Sequence, residues 1–246
     1  MTKRRLDQLL VDRGLAENRT RAQALIMAGL VFSNDKRLDK PGHQIADDSD
    51  LDVRGKDHPW VGRGGLKLDH ALGHFDLDVT GKTALDLGAS TGGFTDVLLT
   101  RGAAHVYAVD VGHGQLAWKL REDARVTVLE KTNARDLDKD LIVQPVDVIT
   151  ADLSFISLKT ALPASLALAA PGALLVALIK PQFEAGRGEV SKGGIVTDPE
   201  VHEAVCRDIE SWLSDQPYWQ VIGITPSPVT GADGNKEFLI AAGKNG

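Results

Sequence analysis

A single cysteine, Cys206, stands among the 246 residues, so neither an intramolecular disulfide nor a cysteine zinc cluster can be built. That usage fits a reducing compartment, and a cytoplasmic location is the expectation. The N-terminus, MTKRRLDQLL, is basic but lacks the apolar core and small-residue cleavage site of a secretory signal. Only one apolar run is long enough to suggest a membrane span, ALPASLALAAPGALLVALI at residues 161–179. Pro163, Pro171 and Gly172 interrupt it. They predict a helix stopping near Ala170 and a short strand, LLVALIK, so no membrane attachment is expected. Low-complexity tracts are missing too, which excludes long disorder. His70 and His74 are four apart on a helical pattern, but no third ligand is evident, so no metal is expected.

What is present is ordinary in bulk and uneven in distribution. Hydrophobic residues make up 43% and charged residues 25%, and the length allows one good-sized core with a small second domain. The net charge of −6 hides a balance of +3 over residues 1–67 and −9 over the remainder. Within the first 40 residues, nine basic side chains face five acidic ones. A basic head on an acidic body suggests a polyanion-binding module attached to something else.

Pattern supports that reading. RRLDQLLVDRGL places Leu6, Leu9, Leu10 and Arg13 at helical spacing, with Gly14 as the stop. ENRTRAQALIMAGL predicts a second helix capped by Asn18 or Thr20, with Ala24, Leu25 and Ala28 inward and Gly29 at its end. VFSNDKRL, with its Ser-Asn-Asp turn, and DLDV read as short strands. Arg4 and Arg5 near the start, Arg19 and Arg21 opening the second helix, and Lys36 and Arg37 beyond it are the candidate RNA-phosphate contacts. The segment over roughly residues 5–53 resembles the S-four type RNA-binding domain found in a ribosomal protein and some pseudouridine synthases.

The stretch ALDLGASTGGFTDVLL runs from a strand through a glycine-rich turn into a helix. It lacks the Gly-Lys-Ser/Thr of a P-loop. Its glycines are also spaced differently from the G-x-G-x-x-G of dinucleotide folds. A nucleoside cofactor without phosphates, S-adenosyl-L-methionine, still needs close approach to backbone, which Gly88, Gly92 and Gly93 allow. Asp86, which closes the first strand, and Asp110, which closes the next 24 positions later, are both candidate cofactor contacts. A carboxylate at Asp110 is placed to accept both hydroxyls of a ribose. Ala89, Ser90, Thr91 and Phe94 complete the turn, Thr91 and Phe94 being equally readable as packing residues.

Strands are legible at TALDL, HVYAVD, VTVLE, VDVITAD and ALLVALIK, with helical patterns between several of them. WQVIGITPSP and NKEFLIAAG follow as an expected antiparallel edge. The fold class is α/β, a doubly wound sheet, and ligands of such sheets lie at the carboxyl ends of the strands. Asp152, Lys180 and Glu237 fall at strand ends, and Lys67 on a helix just before the first strand.

Lys67, Asp152, Lys180 and Glu237 match, in order and context, the K-D-K-E tetrad of FtsJ-like ribose 2′-O-methyltransferases. The segments WVGRGGLKL, DLGASTGGFTDVLL, VDVGHGQLAWKLR, KTNAR, ADLSFISL, IKPQFE and GADGNKEF are similar to the TlyA family along nearly the whole chain. The resemblance implies an S-four domain at residues 1–55, a linker at 56–63, and a Rossmann-like class I methyltransferase domain at 64–246. It implies methylation of a cytidine ribose 2′-hydroxyl in ribosomal RNA, with rRNA or ribosomal subunits as partner and S-adenosyl-L-methionine as cofactor. It also places Asn133 near the adenine and gives Asp152 a second role at the cofactor edge.

A ribose 2′-hydroxyl is a weak nucleophile, so orientation should supply much of the rate. Lys180 is the candidate activating group. It would act either as a base, which needs a pKa below the reference of about 10.4, or as a positioning cation that offsets developing charge. In the linker, Trp60 is expected to pack the junction or to stack on a base. His58 stands where some relatives have arginine in a short motif coupling RNA binding to cofactor affinity. The sequence stops at Gly246, soon after the last strand, and short family forms are associated with large-subunit RNA, which is therefore the favoured substrate. The competing classes are a membrane-lytic, haemolysin-like protein and an RNA-binding protein whose methyltransferase fold is a relic.

Overall fold

In a computed structural model of the chain, residues 3–27, 29–34, 36–54, 58–186, 188–191, 193–231 and 234–246 are described. They form two compact units, Met1–Pro59 and Trp60–Gly246. Ala28, expected to face inward, the Asp of the Ser-Asn-Asp turn, and the first residues of the expected linker lie outside the described residues.

The first unit is built from β1 (Lys3–Arg5), α1 (Leu6–Asp12), α2 (Arg19–Met27), β2 (Val31–Ser33), β3 (Lys36–Leu38), β4 (Gln44–Ala46) and β5 (Asp52–Val53). Antiparallel β1 and β4 form one small sheet, and β3-β2-β5 a second. Sequence reasoning missed the β1–β4 pair, because KRR and QIA are too short and polar to show a strand period. Asn18 caps α2 by accepting the Arg21 amide at 2.9 Å. The inward face of α2 is Ala22, Leu25 and Ile26. Ala24, expected inside, is only half-buried. Together with Leu6, Leu9, Leu10 and Val31 these side chains make the core.

In the second unit, α3 (Gly64–His74) precedes β6 (Thr83–Leu87), α4 (Gly93–Thr100), β7 (His105–Asp110), α5 (Trp118–Arg121) and β8 (Val126–Glu130). Then come β9 (Val146–Ala151), α6 (Leu158–Ala161), α7 (Pro163–Ala167), β10 (Ala169–Ile179), α8 (Pro181–Glu184), α9 (Pro199–Ser214), β11 (Trp219–Pro226) and β12 (Phe238–Lys244). The seven strands are ordered β11-β12-β10-β9-β6-β7-β8. One expectation is corrected. The apolar run turns from helix to strand by Ala169, and Pro171 and Gly172 sit inside β10 where its pairing with β9 shifts register. A proline is tolerated there because the irregular stretch does not need its N–H. The last two strands form the expected antiparallel edge: β11 and β12 pair antiparallel at the sheet margin, and β12 also pairs antiparallel with β10. It alone is reversed, and β11 at the margin runs parallel with the others.

Strand alternation feeds two apolar layers. Leu85, Leu87, Tyr107, Val109 and Ile149 pack with residues of α6, α7 and α9. Ala84, Val106, Ala108 and Val148 face α3 and α4 through Leu68, Leu72, Val97 and Leu98. Trp60 belongs to this second layer, 7% exposed, and lies so close to α3 that a Cβ on Gly65 would meet its ring at 2.4 Å. Its place is packing rather than stacking on a base. No helix among the described residues is long and apolar enough to cross a membrane.

Asp86 is fully buried in β6. Its Oδ2 accepts from the Thr95 hydroxyl of α4 at 2.6 Å and its Oδ1 from the Thr150 hydroxyl of β9 at 3.0 Å. Burial pushes its pKa up to about 6, the two hydroxyls opposing, with the Asp152 charge adding to the rise. A raised carboxylate pKa in the folded state means that the native protein holds the proton more tightly. The contribution is then fully present below about pH 4 and lost as pH rises through about 6, roughly 3 kcal/mol by neutral pH. Asp86→Asn should therefore gain melting temperature relative to wild type as the buffer goes from pH 5 to 7.5. A constant difference across that range in calorimetry would refute it.

Candidate active site

The glycine turn after β6 is shaped by backbone that only small residues permit. Gly88 has φ +78°, and a Cβ there would lie 2.5 Å from the Asp152 carbonyl oxygen. A Cβ on Gly93 would lie 2.8 Å from the Gly65 amide nitrogen. Ser90 also takes a left-handed φ of +49°, and its amide donates to Asp110 Oδ2 at 2.8 Å. Asp110 Oδ1 accepts from the Gly112 amide at 2.6 Å. The acid closing β7 thus fastens the turn to the loop beyond its own strand.

A cavity of about 660 Å³ opens beside this turn. Its walls include Gly88, Ser90, Asp110, Gln115, Thr132, Asn133 and residues Asp152 to Ile156. A smaller cavity of about 100 Å³ is lined by Gly64, Gly88, Ala89, Ser90, Thr91, Gly93, Phe94 and Asp152. Two expected cofactor residues are on neither wall. Asp86 lies beneath the turn, its carboxylate consumed by Thr95 and Thr150. Gly92, φ +97°, packs under Leu120 and Leu116, where a Cβ would meet Leu120 at 2.2 Å. Both residues shape the turn from behind. Asn133 is on the wall, with its Oδ1 accepting from the Arg135 amide at 3.1 Å.

The four tetrad residues are brought together. Lys67 on α3 donates to Glu237 Oε2 at 2.6 Å and stands 3.7 Å from Asp152 Oδ2. Lys180, at the end of β10, lies 2.6 Å from Asp152 Oδ1 and donates to the Ser154 hydroxyl at 3.1 Å. The result is an alternating chain, Lys180–Asp152–Lys67–Glu237, with both lysines and Glu237 less than a tenth exposed. Two positive and two negative groups cancel, so each buried charge is paired. Glu237 fits because Gly231 leaves room: a Cβ there would meet its carboxylate at 2.0 Å.

Sequence reasoning missed Ser154 and Phe155. Phe155 is 90% exposed on the cavity wall, at φ +64°. Their signal was adjacency to Asp152 in ADLSFISL, but no spacing rule marks an exposed phenylalanine as functional. His70 and His74 stack on each other at 5.6 Å, and no metal-holding group of three occurs among the described residues.

The expected RNA contacts divide. Arg5 and Arg19 converge on the carboxylate of Asp7, at 2.9 and 3.0 Å, and Gln23 joins them at 2.9 Å. Asp7 is fully buried, and the Arg5 contact, followed by those of Gln23 and Arg19, holds its pKa well below the usual carboxylate range. Arg4, its side chain directed to the other face of β1, pairs with Asp12 and Asp47. Lys36 and Arg37 are exposed on β3, and Arg21 lies on α2.

Residues 60–244 match the FtsJ-like methyltransferase family, and residues 4–51 the S4 domain. With this sheet, turn and lysine–carboxylate chain, the class is an FtsJ-like methyltransferase joined to an S4 domain. YqxC of Bacillus subtilis, provisionally named an rRNA methyltransferase, is 52% identical over 97% of this chain and 85% of its own length. The 16S/23S rRNA (cytidine-2′-O)-methyltransferase TlyA of Mycobacterium tuberculosis is 48% identical, covering 96% and 88%. The 23S rRNA (cytidine-2′-O)-methyltransferase TlyA of Campylobacter jejuni is 33% identical, covering 76% and 72%. A solved protein from Streptococcus thermophilus, provisionally named a hemolysin, superposes with a TM-score of 0.78 at 44% identity, covering all of this chain and 90% of that one. The chain belongs to the TlyA family.

Close approach makes Gly88 sensitive in a way that a free turn glycine is not. Gly88→Ala should lose roughly 2–4 kcal/mol of unfolding free energy in urea, from the left-handed φ and the collision with Asp152 together. Gly114→Ala, at a similar φ of +72° with nothing within 4 Å, should lose only about 1 kcal/mol. Equal losses would show that the Asp152 contact yields freely.

Proposed function

We propose that this protein transfers a methyl group from S-adenosyl-L-methionine to a cytidine ribose 2′-hydroxyl of ribosomal RNA, with large-subunit RNA the first substrate. The single observation that carries the reading is Asp152: its carboxylate faces both lysines, and the residue lines both cavities. That position joins a nucleoside-sized pocket to a pair of buried cations.

The residues present suit the cofactor. Gly88 lets backbone approach the methionine end, and Asp110, with two amides already bound, keeps lone pairs on its exposed side for ribose hydroxyls. Asn133, on the cavity wall, would contact the adenine. When bound, S-adenosyl-L-methionine supplies a methyl group on a positively charged sulfur, open to in-line attack. Lys180, oriented by Asp152, would hold the 2′-oxygen in line, and the hydroxyl proton would pass to the Lys180–Asp152 pair as the oxygen takes the methyl and the methyl–sulfur bond breaks. Asp152 and Ser154 fix the direction of that lysine, and Glu237 holds Lys67 in the same chain. Phe155 offers an exposed aromatic face at the mouth on which an unstacked base can rest.

RNA recognition falls to the S4 unit, where Asp7 orders Arg5 and Arg19 into fixed guanidinium planes suited to phosphate. The names of the Mycobacterium tuberculosis and Campylobacter jejuni relatives share 23S RNA, and only one adds 16S, which supports large-subunit RNA as the first target.

The test is transfer of labelled methyl to purified small and large ribosomal subunits from a strain lacking this protein. We expect alkali-resistant label at one ribose of large-subunit RNA. Lys180→Ala should lower the rate about a thousandfold or more while cofactor affinity, read by calorimetry, stays within about threefold. Label on a base, or wild-type turnover by Lys180→Ala, would overturn the assignment.

A further inference from the structure

Two chain segments meet at the mouth of the site, residues 152–158 after β9 and residues 180–184 after β10. They are joined in four successive places. Asp152 pairs with Lys180 at 2.6 Å, and Ser154 accepts from Lys180 at 3.1 Å. The rings of Phe155 and Phe183 meet with centroids 5.0 Å apart. At the far end, Glu184 Oε2 accepts from the Ser157 hydroxyl at 2.6 Å, and its Oε1 accepts from the Leu158 amide at 2.8 Å.

We propose that Glu184 is a positioning residue whose carboxylate closes this ladder and so holds Ser154 against Lys180 and Phe155 at the pocket mouth. Neither segment is self-supporting. The helix α8 has four residues, too short to persist alone. Phe155 sits at φ +64°, a conformation that a bulky L-residue keeps only where its surroundings over-determine it. The Ser157 hydroxyl caps α6 by accepting the Lys159 amide at 3.2 Å while donating to Glu184. Glu184 also satisfies the Leu158 amide, one of the N–H groups that a helix start leaves without an internal partner. Removing the carboxylate therefore frees both the cap and an amide, and the turn carrying Ser154 and Phe155 can relax to negative φ. Burial raises the Glu184 pKa, with the Leu158 amide and Ser157 hydroxyl opposing. A neutral glutamine can keep both contacts, accepting from the amide and donating to the hydroxyl oxygen.

The test compares wild type with Glu184→Ala, Glu184→Gln and Ser157→Ala in the full chain, by amide hydrogen exchange and by methyl transfer. The rate arm rests on the proposed methyltransferase reading; the exchange arm does not. Glu184→Ala should raise exchange over residues 154–158 at least about tenfold and lower kcat about 10- to 100-fold, with cofactor KM changing less. Glu184→Gln should restore both to within about threefold, and Ser157→Ala, which removes the α6 cap and one of the two Glu184 bonds but leaves the Leu158 amide bond, should fall between. If Glu184→Ala does not fold, the graded order of Ser157→Ala and Glu184→Gln carries the same comparison. Wild-type exchange over residues 154–158 in Glu184→Ala would overturn the proposal. So would a lowered melting temperature with unchanged kcat per folded molecule. Altered exchange with no methyl transfer to rRNA even by wild type would support the ladder and count against the substrate reading.

Discussion

The carboxylate of Asp152 is the interaction on which the site depends. It holds Lys180 at 2.6 Å through one oxygen and faces Lys67 at 3.7 Å through the other. Two buried ammonium groups would repel each other and lose hydration, and an anion between them offsets both costs. The same residue contributes its backbone: its amide donates to the Leu87 carbonyl at 3.0 Å, and its carbonyl lies where a Cβ on Gly88 would be. Pairing of charges and closeness of the glycine turn are thus one constraint.

That constraint is supported from below and from the side. Beneath the turn, Asp86 ties β6 to α4 and β9 through two threonine hydroxyls, so the turn rests on buried hydrogen bonds rather than on apolar packing alone. Beside it, Glu184 and the Phe155–Phe183 contact join the two segments that carry Asp152 and Lys180. The carboxylates of Asp86 and Glu184 are each satisfied by partners from neighbouring elements, which makes the geometry stiff where catalysis by orientation needs it.

Much of this was legible in the residues. TALDL, HVYAVD and VTVLE show strand patterns bounded by turns, and β6, β7 and β8 lie on those segments. The order Lys67, Asp152, Lys180, Glu237 carried the family resemblance, and the tertiary structure brings the four together. Less legible were features with no local period. Asp86 reads as a strand-end acid facing a ligand, but strand alternation directs it inward to Thr95 and Thr150. Arg5 and Arg19 read as candidate phosphate contacts, and their shared pairing with a buried Asp7 had no local signal. Asp7 to Arg19 and Ser157 to Glu184 are contacts between side chains far apart in sequence, which neither periodicity nor spacing encodes.

The sequence by itself determined most of the element types, the glycine turn and the set of chemical groups, because each follows from periodicity, turn chemistry and residue type within short windows. Only the tertiary structure decided where the final strand lies. Reversed and inserted between β10 and β11, β12 begins at the sheet margin where the parallel strands end. Glu237, just before its first residue, therefore reaches Lys67 across 170 residues of chain. Strand order is set by long-range hydrogen-bond pairing and by burial of both sheet faces, energies that belong to the whole fold and to no segment of it.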